Sequence, residues 1–216
     1  MGVDIETHDW ENNAGSKGGI GQYGFYARCN SNDHAARIVQ IGWAIGINGA
    51  DPVVKELLVK PVGFEISDKA AKYHGISHVS ASASGVCLRE ALLEFLSDVI
   101  PLHEKGGRVI IHHLEFDAGI ISRELDRAGL HSYQTAWHDV ASSGLCTMDP
   151  MIGKWVRELL GMEMAPYPSG NTMKLDDMLK LLPESDALRG CRHSAGADAQ
   201  LHMRVYRALK RLTIPT

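Results

Sequence analysis

The segment Arg37–Ile47, RIVQIGWAIGI, limits the possible folds of this chain most tightly. It is rich in β-branched residues and reads as a strand. Val53–Lys60 reads as a second strand, with Gly49 and Pro52 marking the turn between them. After this β start the pattern changes period. Ser67–Tyr73 reads as a short helix ending at Gly75. Cys87–Ile100 carries a helical stripe of Leu88, Leu92, Leu93, Phe95 and Leu96 stopped by Pro101. Arg108–His112 reads as a short strand, Phe116–Ala128 as a helix stopped by Gly129, and the residues near Leu145 as another short strand. Helices follow at Met151–Leu160, Leu175–Leu182 and Ser194–Leu212. Strands first, then helices alternating with strands, predict a three-layer α/β domain with a mixed sheet.

At 216 residues the chain is expected to form a single domain, 1–216, large enough to bury a core without staples. Two segments break the periodic pattern. Residues 11–32 contain Gly15, Gly18, Gly19, Gly21 and Gly24 and read as a Gly-rich insertion loop; Met164–Thr172 reads as a second loop. No apolar run reaches the roughly 18 residues of a membrane span, and no basic region followed by an apolar core opens the chain, so neither a membrane nor a signal peptide is expected. Cys29, Cys87, Cys146 and Cys191 form no CxxC pair, which points away from structural zinc and disulfide frameworks and toward an intracellular location. The net charge of −4, from 22 Lys+Arg and 26 Asp+Glu, excludes nucleic-acid binding through bulk positive charge.

The acidic residues carry the chemistry. Asp4-Ile5-Glu6 on a strand would put both carboxylates on one face, with Val3 and Ile5 toward a core. A second match to the same spacing, Asp9-Trp10-Glu11, lies among His8, Asn12 and Asn13 and reads as a loop. Asp117 follows the strand Arg108–His112 at a helix start, where a capping role would also account for it. Asp198 borders the apolar stripe Ala197, Leu201, Val205 and Leu209, and a buried carboxylate needs a partner such as a metal ion. His193 precedes that helix, where a structural role is equally simple. The eleven histidines include no HExxH. His113-Leu114-Glu115 matches the HxE of zinc deaminases but lacks the PCxxC that must follow.

Taken in order, Asp4-Ile5-Glu6-Thr7, the stretch His112–Asp117 and the stretch His193–Asp198 resemble the motifs of the DEDDh (DnaQ-like) 3′→5′ exonucleases. Tyr73-His74-Gly75-Ile76-Ser77, Cys146-Thr147 and Lys174-Leu175 extend the resemblance over nearly the whole chain. His113 stands where the family has Asn, Cys146 where Asp is more common, and the loop after the first strand is longer than usual. The resemblance implies a ribonuclease-H-like three-layer fold, with a central five-stranded mixed sheet flanked by helices. It also implies release of nucleoside 5′-monophosphates from a single-stranded or frayed 3′ end of DNA or RNA. Two Mg²⁺ or Mn²⁺ ions would be held by Asp4, Glu6, Asp117 and Asp198, with Asp4 bridging them and His193 as general base. Thr7, His8 and His113 would line the substrate cleft. Two other readings are a catalytically inactive nucleic-acid-binding or adaptor module on the same fold, and a zinc hydrolase, for which the ligand spacing is missing. Arg204, Arg207 and Arg211, with Arg189 and Arg192 upstream, form either a phosphate-binding face or a solvated one. A partner protein or further domains of a longer chain would supply any tight grip on the strand.

Overall fold

The computed structural model describes residues 1–9, 36–46, 51–164, 168–183 and 193–212. The Gly-rich segment 11–32, Gly49, Arg189 and Arg192 lie outside the described residues. Five strands form one sheet in the order β3-β2-β1-β4-β5. These are β1 (Gly2–Thr7), β2 (Ile38–Ile45), β3 (Val53–Leu58), β4 (Ile110–Ile111) and β5 (Leu145–Cys146). The β1–β2 and β2–β3 pairs are antiparallel, and the β1–β4 and β4–β5 pairs are parallel, so the sheet is mixed. The helices are α1 (Asp68–His74), α2 (His78–Ser84), α3 (Leu88–Glu104), α4 (Leu114–Arg127), α5 (Gln134–Ser142), α6 (Pro150–Leu159), α7 (Leu175–Met178) and α8 (Ala195–Leu212). The architecture is α/β and ribonuclease-H-like, as expected. Among the described residues no helix is long and apolar enough to cross a membrane.

The two-residue period of β1 sorts its side chains. Val3 and Ile5 are buried on one face with Ile41 and Trp43 of β2, against Leu92, Phe95 and Leu96 of α3, Ile121 of α4 and Trp137 of α5. Trp43, Phe95 and Trp137 meet edge to face, with centroids 5.6 and 5.5 Å apart, a geometry that suits the ring quadrupoles. The indole N–H groups are satisfied as well: Trp43 donates to Asp98 and Trp137 to the Ala118 carbonyl. On the opposite face, α8 lies across β1 and β2, and the far side of α8 packs on α6 and α7.

Close approach of α8 requires glycine beneath it. A β-carbon on Gly42 would stand 2.1 Å from the Ala195 carbonyl carbon, and one on Gly2 would stand 1.8 Å from the Ala199 oxygen. No side chain fits either position without lifting the helix.

Several boundaries differ from the sequence reading. Helix α3 continues through Pro101 to Glu104, and Leu102 beyond the proline packs on the core, which offsets the lost N–H bond and the ring's crowding of the preceding turn. The region 175–182 divides into α7 and a 3-10 turn at Leu179–Leu181. Helices α2 and α5 have no clear signal in the sequence. The segment HVSASAS of α2 has no apolar stripe; a reciprocal Ser77–Ser80 capping box specifies it instead. In α5 the buried Trp137, Val140 and Ala141 do fall at i, i+3 and i+4, but the helix is only nine residues long, a single repeat of the pattern.

Candidate active site

The site forms where α8 begins above β1. The first N–H groups of a helix lack intrahelical acceptors. Here the Ala195 N–H donates to Gln40 Oε1 of β2 at 2.9 Å, and the Gly196 N–H donates to Glu56 Oε2 of β3 at 2.7 Å. The Ser194 hydroxyl donates to the same Glu56 carboxylate. A negative group at this end also suits the helix dipole. The helix start is thus bolted to two strands, and Asp198 in its first turn comes down on the face of β1 that carries Asp4 and Glu6.

Ligand oxygens of Asp4, Glu6 and Asp198 all lie within 4.8 Å of one another. Glu6 and Asp198 are buried and Asp4 is half-buried. Three carboxylates this close and this dry repel each other, and a hard divalent cation with oxygen preference fits the donor set. Asp117 lines the same cleft, whose volume is about 270 Å³. It sits in the first turn of α4, yet its carboxyl accepts from the Ile5 N–H of β1 as well as from its own N–H. Burial pushes its pKa from 3.8 up to about 8, and those hydrogen bonds oppose the shift only in part.

This shift has a measurable consequence for the metal-free protein. A carboxyl whose folded pKa is raised contributes its full stability below pH 3.8 and loses it as pH rises toward 8. Asp117→Asn should therefore stabilise the metal-free fold more at pH 8 than at pH 4, as read from urea midpoints at the two pH values. A variant that is equally or less stable at pH 8 contradicts the burial argument.

Thr7 and His113 line the cleft, as expected from the sequence. The His113 ring stacks nearly parallel on Phe116, at 10° and 5.4 Å, giving a flat wall. His8 does not line the cleft. The strand register shifts between Glu6 and Thr7, and His8 lies beyond the cleft edge. Its Nδ1 accepts from the Arg37 N–H, and its ring meets the Phe64 ring at 5.0 Å. His193 is also outside the lining. It stands at the rim with φ of 73°, its ring 4.2 Å from that of Tyr73 and its N–H directed at Asp198 Oδ2 at 3.4 Å.

Three further histidines belong to the site. His74 accepts the Ile76 N–H at Nδ1 and so donates from Nε2 to the Thr7 carbonyl, tying α1 to the end of β1. His112 meets Thr147 Oγ1 at 3.0 Å and lines the cleft. His202 donates from Nδ1 to the Val3 carbonyl at 2.9 Å, and its Nε2 lies 3.8 Å from Asp4 Oδ1. Sequence reasoning passed over His202, although Asp198 and His202 share one helix face at i, i+4 spacing. Arg207, by contrast, lies against Gly46, beyond the end of β2 remote from Gln40 and Glu6. That end of α8 takes no part in the cleft.

No protein-family model matches the chain, and no curated protein matches it in sequence. Solved structures do share its fold. A product-bound exonuclease I superposes with a TM-score of 0.59 at 15% identity, covering 97% of this chain and 44% of that one. E. coli exonuclease I in complex with a dT13 oligonucleotide gives 0.57 at 14% identity, covering 98% and 40%. A full-length 3′-exonuclease gives 0.52 at 15% identity, covering 97% and 59%. The chain therefore spans between two fifths and three fifths of the length of these structures, and the fold it shares with them is that of exonucleases.

Proposed function

We propose that this chain is a DEDDh-type 3′→5′ exonuclease that releases nucleoside 5′-monophosphates from a single-stranded or frayed 3′ end of DNA or RNA. The observation that carries this reading is the convergence of Asp4, Glu6 and Asp198 within 4.8 Å, with Asp117 in the same cleft. The exonuclease fold around it lends further support.

Asp4, Glu6 and Asp198 would hold one Mg²⁺ or Mn²⁺, and Asp4 with Asp117 a second. When bound, such a pair acidifies the attacking water and offsets the charge on the scissile phosphate. His193, at the rim with its backbone anchored beside Asp198, would swing its ring from Tyr73 toward the cleft and take the water proton. The water oxygen bonds to phosphorus, the bond to the 3′ oxygen breaks, and that oxygen leaves as a hydroxyl after protonation. Thr7 and the His113–Phe116 wall receive the terminal nucleotide, the parallel rings offering a stacking face for its base.

The direct test uses a 5′-labelled single-stranded oligonucleotide and chelator-stripped protein. Mg²⁺ or Mn²⁺ should restore a ladder that shortens from the 3′ end, with mononucleotide as product, and Zn²⁺ alone should not. Absence of release with every divalent ion would assign the chain to an inactive binding module.

A further inference from the structure

A second cleft, of about 290 Å³, opens beyond β1 and is lined by Arg37, Lys60, Phe64, Arg89, Glu124 and Arg127. Among the described residues four cations face one carboxylate there, a local excess of positive charge on a chain whose net charge is −4. The carboxylate organises the groove. Glu124 is 1% exposed, and its Oε1 accepts from Arg37 Nε at 2.7 Å and from an Arg127 terminal nitrogen at 2.9 Å. Among the described residues Arg37 is fixed through Nε, and its two terminal nitrogens are the groups that can reach another acceptor. Its guanidinium carbon stands 4.6 Å over the Phe64 ring, so the plane is backed on one side by an aromatic ring. Arg89 is held by the carbonyls of Ala128 and Gly129, and Lys60 is exposed at the rim.

The groove and the carboxylate cleft are linked through the residue that follows β1. Thr7 lines the first cleft; the next residue, His8, accepts the Arg37 N–H and packs on Phe64, both of which line the second. We propose that this groove binds the phosphates and one base of a single-stranded nucleic acid upstream of the 3′ end seated at the carboxylates. Guanidinium forks match phosphate oxygens, and a guanidinium plane backed by an aromatic ring stacks a base without regard to its sequence. The inference rests on the exonuclease reading for the direction of the strand, and it deepens that reading by adding a second subsite.

The test compares anisotropy of 5′-fluorescein dT4 and dT12, with Ca²⁺ in place of Mg²⁺, for the wild type, Lys60→Glu and Lys60→Glu/Arg89→Ala. The wild type should bind dT12 about tenfold tighter than dT4, and the ratio should fall toward one in both variants. The salt dependence of dT12 binding should flatten alongside, its slope falling by about 0.7 for each phosphate that is no longer neutralised. Arg89 also holds the end of α4, so the exposed Lys60→Glu alone decides if the double variant does not fold. A ratio near one in the wild type, or an unchanged ratio in Lys60→Glu, overturns the proposal. So does competition by dTMP at the affinity of dT12, which would make the groove a mononucleotide site. Release of mononucleotide from dT12 in Mg²⁺, followed in parallel, judges the carboxylate cleft separately. A length effect without release would keep the groove and overturn the exonuclease reading.

Discussion

Asp198→Asn should lower nucleotide release by about 10³-fold or more, because several kcal/mol of charge stabilisation is withdrawn from the reacting phosphate. The same variant should raise the metal-free melting temperature. Asp198 is buried beside Asp4 and Glu6, and replacing one of three crowded carboxylates by a neutral amide removes like-charge repulsion. A gain of about 1 kcal/mol corresponds to a rise of about 2–4 °C in a chain of this size. A third signature completes the set: the wild type should gain stability on addition of Mg²⁺ or Mn²⁺, since a ligand that binds only the folded state stabilises it by mass action, and Asp198→Asn should lose that gain. Calorimetry with and without the cation measures both thermal effects. An Asp198→Asn protein that is less stable without metal, yet still responds to Mg²⁺, would show that the carboxylate serves the fold rather than a cation.

His193→Ala should reduce turnover by about 10²–10⁴-fold, the usual range for loss of a general base, while the Mg²⁺-induced thermal shift stays intact. The backbone at this position gives a sharper experiment. His193 has φ of 73°, in the left-handed region that costs a residue with a β-carbon about 1–2 kcal/mol. Glycine carries no such cost. His193→Gly should therefore lose turnover as severely as His193→Ala while being the more stable of the two. His193→Asn tolerates the same backbone and should be equally slow. A histidine retained only for structure would give a different pattern, with turnover following stability across the three variants. Single-turnover rates and urea midpoints on one set of proteins decide the matter.

Much of the site was legible because local rules govern it. The two-residue period put Asp4 and Glu6 together on β1, and the predicted start of the last helix was within one residue of the observed Ala195. The rest depends on contacts that no local pattern records. Gln40 and Glu56 read as ordinary polar positions on strands, yet they receive the first N–H groups of α8 and thereby place Asp198. His8 follows Thr7 directly, and only the register shift after Glu6 separates it from the cleft. The basic groove was invisible for a similar reason. Arg37, Lys60, Arg89 and Arg127 are scattered along the sequence, and the fold alone collects them around Glu124. The three arginines that do recur at helical spacing suggest a phosphate-binding face instead, although Arg207 lies at the far end of β2.

The bolting of α8 across β2 and β3 also bears on when the carboxylate centre first exists. During synthesis Asp4 leaves the ribosome long before Asp198 does. A nascent chain has no assembled carboxylate centre until α8 has emerged and settled on the sheet. Under the proposed function, the nascent chain is inert toward nucleic acid while this segment is being translated. Any cleavage or frameshift that removes α8 leaves a fragment without Asp198 and hence without the assembled carboxylate centre.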